Sequence, residues 1–180
     1  MARAVAHRDL VGDYTVDVAR TRIGFVAKHT VGPKVQGRFE KFTAAAHVGD
    51  GGPADAHLTL TIEAAGIQTG NPRRDDSLRD QYLNAADHPA ITFASTTVKQ
   101  VDENNFTVTG DLTIRGVTKQ IAVDLELSTA PYELSGGLQV RLTGGATIDR
   151  RDWGVHWAAA PGLVSRKVEL DLDITATRRP

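Results

Sequence analysis

Between residues 166 and 178 the chain alternates without a slip. Val168, Leu170, Leu172, Ile174 and Ala176 fall on one side, and Lys167, Glu169, Asp171, Asp173 and Thr175 on the other. A period of two belongs to a β-strand with one buried and one wet face. Such a strand does not suit the middle of a parallel sheet covered on both sides by helices. It demands that its sheet pack on a second sheet or close on itself.

The pattern recurs along the chain. Leu58, Leu60 and Ile62 alternate with Thr59, Thr61 and Glu63, and Phe106, Val108, Leu112 and Ile114 alternate with Thr107, Thr109, Asp111 and Thr113. Ile121, Val123, Leu125 and Leu127 follow, spaced by Ala122, Asp124 and Glu126, and residues 90–101 open on Ile91 and Phe93. Earlier strands are expected at 14–18 and, after a polar kink at Arg20, at 21–30. A long one at 34–48 has Gly37 as a bend, and another at 138–150 is loosened by Gly144-Gly145. Turns are expected at Gly32-Pro33, 49–53, 102–105, Gly116 and 131–137, with 153–162 irregular. About eight strands of roughly nine to twelve residues, joined by short turns, must be antiparallel neighbours. Periodicity cannot separate a sandwich from a barrel; strands longer than the usual five or six residues lean toward the barrel.

One stretch, 73–93, has a helical period instead. Asn71-Pro72 breaks the preceding run, Asp75, Asp76 and Ser77 suit a first turn, and Leu78, Tyr82, Leu83, Ala85 and Ala86 form an apolar stripe. The residue before Pro89 is pushed out of the α region, so Asp87-His88-Pro89 is expected to end the helix. A helix of roughly ten to twelve residues is not stable alone and must dock its stripe. The expected site is one mouth of a barrel holding a long apolar ligand.

The 180 residues suit one domain, 13–180, behind a loose polar tail, 1–12. The net charge is −1, with the 21 basic and 22 acidic residues well mixed, which argues against a nucleic-acid protein. Without cysteine there is neither a disulfide framework nor a thiolate metal site. The first residues, MARAVAHRDLVGDY, contain no apolar run of signal-peptide length, and no later stretch approaches a membrane span. The expectation is a cytoplasmic protein without stable membrane insertion. No nucleophile elbow, phosphate loop, zinc-protease helix or dinucleotide fingerprint is present. The six histidines are scattered, with no pair at metal-ligand spacing. What remains suggests a binding module, with charges at loops flanking apolar strands: Arg73, Arg74, Asp75 and Arg79 at the helix, and Asp149 to Asp152 before Trp153. The bland reading of these charges is ion pairs that pin helix and loop to the rim.

Seven pieces in order and at matching spacing carry a resemblance. They are Tyr14 with Asp17, Phe25 with His29, Gly37-Arg38-Phe39, and Arg74-Asp75 with Leu78-Arg79. Pro89 with Ile91-Thr92-Phe93 follows, then 110–119 (GDLTIRGVTK) and Ile148-Asp149-Arg150 with Asp152-Trp153-Gly154. Over residues 12–177 the chain resembles the YceI-like family of lipocalin-like polyisoprenoid-binding proteins, with Ser77 where that family often has histidine. The resemblance implies an all-β fold: an extended eight-stranded antiparallel lipocalin-like β-barrel with one short helix closing one end. It also implies an interior tunnel for a polyisoprenoid or isoprenoid quinone, with no catalytic residues, metal or cofactor. Ligand-binding positions expected on this basis are Phe25, His29, Phe39, Arg74, Asp75, Leu78, Arg79, Tyr82, Leu83, Phe93, Ile114 and Trp153. Arg74, Arg79 or His29 would orient a polar head. The expected partner is a hydrophobic lipid, carried or sequestered. A homodimer is compatible with open rims, although no interface pattern stands out. Two other readings stay open. One is a lipid-modifying or accessory enzyme with its site at the mouth near His29, Arg74 and Asp75. The other is a packed, stress-related barrel acting through its surface.

Overall fold

The computed structural model describes residues 10–29, 34–134, 137–155 and 164–179. Eleven strands follow in chain order: β1 (Gly12–Val16), β2 (Arg22–His29), β3 (Val35–Phe39), β4 (Phe42–Val48), β5 (Ala56–Glu63), β6 (Ile67–Gln68), β7 (Ala90–Gln100), β8 (Asn105–Ile114), β9 (Val117–Leu134), β10 (Gly137–Asp149) and β11 (Val164–Arg178). The first six are three long strands, each interrupted once. A single 3-10 turn, Val18–Arg20, capped by the Asp17 side chain on Ala19 N, separates β1 from β2, and both pair with β11. Glu40-Lys41 separates β3 from β4, which pair with β2 and β1 respectively. The turn Ala64–Gly66 separates β5 from β6, which pair with β4 and β3. With β7 to β11 these make eight long antiparallel strands, each beside its neighbour in sequence, and β11 returns to β1 to close the ring. The expected barrel is what forms, and closure removes the exposed edges that an open sheet would carry.

Closing a sheet requires bends and close approaches, and the register shows where they fall. The pairing slips between Ser95 and Thr97 and again between Gln139 and Arg141, bulges that coil the wall. The second slip explains a departure from expectation. Residues 131–134 were expected to belong to a loop, yet β9 continues to Leu134 and pairs with Gly137 to Gln139. A bulge beside Pro131 accepts a residue that cannot donate to the ladder. Gly144 and Gly145 do not loosen β10. Its ladder runs unbroken past them, and a Cβ at either would collide with the carbonyl of Asp124 or of Leu170 on the flanking strands.

The helix α1 (Pro72–Ser77) is capped by the Asn71 side chain, which accepts from Arg74 N at 3.2 Å, with Pro72 at the first position. It continues directly into a π turn, Leu78–Tyr82, closed by Leu83 N donating to Leu78 O at 2.8 Å. The helix therefore stops earlier than Asp87-His88-Pro89. Asn84 takes a positive φ of 48° and its carbonyl accepts from Asp87 N and His88 N, a turn that asparagine tolerates. The wide π turn aligns residues five apart, so Leu78, Tyr82 and Leu83 all face the barrel; these and Ala85 are buried, while Ala86 is exposed. The core runs from this helix-closed end through Ile23, Phe42, Ile62, Ile91 and Leu112 to smaller clusters around Val108 and Tyr14.

Candidate functional site

Alternation turns one face of every strand inward, and those side chains do not fill the barrel. They surround a cavity of about 260 Å³ beneath the helix. Valine, leucine and isoleucine dominate its wall, as in Ile23, Leu60, Ile62, Leu112, Leu170 and Leu172. Such medium-sized linings leave an eight-stranded barrel room for one small ligand. Phe25 and Phe39 lie on adjacent strands with ring centroids 5.8 Å apart and planes tilted by 46°. Gly37, opposite Phe25 in the register, leaves space for that ring, since a Cβ there would strike it. Gly37 was expected as a bend; it lies in a regular ladder and serves the aromatic across from it.

Seven of the twelve expected positions line this cavity: Phe25, Phe39, Leu78, Tyr82, Leu83, Phe93 and Ile114. The side chain of His29 lies outside the described residues. Trp153 is buried behind the wall rather than in it, 2% exposed, with its indole Nε1 donating to Leu112 O at 2.9 Å.

The helix charges are also placed differently from expectation, because the backbone at the rim claims them. Asp75 is buried and accepts from Thr69 N at 2.9 Å and Thr69 Oγ1 at 2.5 Å. Arg74 donates to Thr69 Oγ1 at 2.8 Å and to Thr69 O at 2.9 Å. Arg79 donates to Ala65 O at 3.2 Å and to Asp76 Oδ1 at 2.9 Å. None of the three belongs to the cavity wall. They pin α1 to the segment 64–69, as the bland reading anticipated, although through Thr69 and backbone carbonyls rather than through an Arg74–Asp75 pair.

The charge that does reach the wall is Arg150, which no ligand expectation included. Its Nη1 donates to Val155 O at 2.7 Å and its Nε to Ser165 O at 3.2 Å, which holds the guanidinium in place. Burial and then neighbouring Arg151 pull its pKa below the ordinary arginine value, opposed by Asp149 and by Tyr82, which lies close enough to interact with its charge. An arginine so placed stays a cation at any physiological pH. The signal was present in the sequence: Ile148 points inward, Asp149 outward, and the next step of two is Arg150. Among the described residues it is the only charged side chain of that wall.

A second cavity of about 120 Å³ lies toward the opposite rim, between Tyr14, Pro53, Val98, Phe106, Leu127 and Val140. Among the described residues no cluster of histidine and carboxylate side chains could hold a metal, and no helix is long and apolar enough to cross a membrane.

Against known proteins, residues 14–176 match the YceI-like domain. A UPF0312 protein of Shewanella baltica strain OS185 is 29% identical over 170 residues, covering 93% of this chain and 88% of that protein. Among solved structures, Burkholderia cenocepacia BcnA superposes with a TM-score of 0.79 at 24% identity, over 90% of this chain and 99% of that one. A polyisoprenoid binding domain from Saccharophagus degradans superposes with a TM-score of 0.68 at 16% identity, over 92% of this chain and 98% of that one.

Proposed function

The chain belongs to the YceI-like family, and we propose that its barrel binds a long apolar lipid of the polyisoprenoid or isoprenoid-quinone kind, as a carrier or sequestering protein. The observation that carries this reading is the cavity itself: an apolar space of about 260 Å³ with one cation in its wall. The polyisoprenoid binding domain with the same fold is consistent with it. A dry cavity of about 150 Å³ takes benzene, so this one has room for roughly ten carbon atoms. At about 0.8 kcal/mol per buried methylene they offer roughly 8 kcal/mol before the costs of association. That is enough for useful binding without any reaction. Arg150 would give the ligand a direction, its oxygen-bearing head against the guanidinium and Tyr82 and its tail down the barrel.

Carboxylates with lowered pKa lie outside the cavity wall: Asp102 is lowered by the Asn104 amide, Asp149, against the opposing effect of burial, by the Arg151 amide and nearby cations, and Asp173 by the Arg141 guanidinium, which favours binding over proton transfer at the site. The test is native mass spectrometry of protein purified without detergent, followed by organic extraction. A co-purifying mass built of isoprene units is expected. Protein that stays apo after incubation with menaquinone and polyprenyl phosphates would instead support a barrel acting through its surface.

A further inference from the structure

The two cavities share part of their lining. Ala46, Leu58, Val108, Leu125, Leu142 and Ala176 line both, and therefore stand between them. These six come from six of the eight long strands, through β4, β5, β8, β9, β10 and β11, so they form a ring around the barrel. The register staggers the ring: Leu58 lies directly opposite Ala46, whereas Val108 is opposite Val98 and Val123, and Leu142 opposite Leu127 and Ile174, each offset from the ring's next member. One arc of the waist is small, at Ala46 and Ala176, while leucines and a valine crowd the rest. The space beyond it is apolar, with the Tyr14 hydroxyl turned to the Leu10 carbonyl at 2.8 Å.

Resting on the lipid-binding reading, we propose that this waist gauges the length of the ligand's tail. With the head at Arg150, the first stretch of an isoprenoid fills the larger cavity, and only a longer tail passes the waist into the smaller one. By the benzene comparison the larger cavity holds about ten carbons, or two isoprene units, and the smaller adds about five, or one more. A fourth unit extends past the lining of the smaller cavity, toward the opposite rim. Affinity therefore rises from two units to three and levels off from three to four.

The experiment displaces anilinonaphthalene sulfonate from the full chain with geraniol, farnesol and geranylgeraniol, prenyl alcohols of two, three and four units. Farnesol is expected to bind at least about tenfold more tightly than geraniol, and geranylgeraniol within about threefold of farnesol. Val140→Phe fills the smaller cavity from a residue that lines it and not the larger one: geraniol affinity stays within about threefold of wild type and the farnesol advantage disappears. Val98→Phe, from a different strand and likewise outside the wall of the larger cavity, repeats the test if the first variant does not fold. If either folded variant keeps the wild-type ratio of farnesol to geraniol, or if wild-type affinity keeps climbing to geranylgeraniol, the gauge is overturned and the lipid-binding reading stands. A wild type that binds none of the three alcohols overturns both.

Discussion

Trp153→Phe separates a wall brace from a ligand contact. The indole is almost wholly buried, at 2% exposure, and its Nε1 donates to the carbonyl of Leu112, itself buried in the strand β8. Phenylalanine keeps the aromatic body but loses the donor and two ring carbons. At about 0.8 kcal/mol per buried carbon, the lost contact is about 1.6 kcal/mol, and a buried hydrogen bond adds about 1 kcal/mol. The sum is about 2.5 kcal/mol. In a domain of this size each kcal/mol moves Tm by about 2–4 °C, so thermal unfolding followed by circular dichroism should fall by roughly 5–10 °C. Because the indole is outside the cavity wall, affinity for farnesol measured well below that Tm should stay within about twofold of wild type. A Tm within about 1 °C of wild type would refute the brace, and weakened farnesol binding at unchanged Tm would return Trp153 to the ligand contacts.

Arg150→Gln removes the cation from the cavity wall. Binding of a quinone or prenyl alcohol should weaken about tenfold or more while a headless hydrocarbon such as squalene is unaffected, as competition titrations will show. Asp75→Ala strips Thr69 of the acceptor for its N–H and hydroxyl; a loss of about 1–3 kcal/mol in urea unfolding is expected, and an unchanged midpoint would mean that the anchor is idle. Asp173 is held low first by the hydrogen bond from Arg141, with burial opposing and the Arg141 and Arg22 charges adding to it. Its contribution is therefore present above the ordinary carboxylate range and is lost as pH falls through its folded pKa. The Tm difference between wild type and Asp173→Asn should be constant near neutrality and narrow as pH falls below the ordinary carboxylate range; a difference that does not narrow with acidification would contradict the linkage.

Much of this architecture is legible in the residues because a half-buried strand writes its two faces into every second position. Val168 to Ala176 could be assigned to the interior on alternation alone, and all five line the cavity. The helix stripe of Leu78, Tyr82 and Leu83 was equally plain. Its end was not, since whether Asn84 takes a left-handed turn is decided by the chain around it, and proline merely marks where a helix can no longer continue. Arginines near a mouth look alike in sequence. Whether Arg74 faces ligand or a carbonyl depends on where Thr69 lands, a contact outside any repeating pattern. Arg150 reads as one of the charges that pin the rim because it sits in Asp149-Arg150-Arg151-Asp152, of which only one reaches the wall.

The ring is closed by its two most distant pieces. With each interrupted strand counted as one, every other ladder joins long strands adjacent in the sequence, whereas β11 pairs with β1 through Tyr14 and Arg178 and with β2 through Phe25 and Leu170. A chain that has formed its hairpins but not this seam carries two complementary unpaired edges, one at each end of a curled ribbon. Within one molecule they meet after the longest loop closure the fold requires. Between molecules the same edges fit equally well, so refolding at high concentration sets closure against exchange of strands, and the seam decides between a monomeric barrel and a swapped pair.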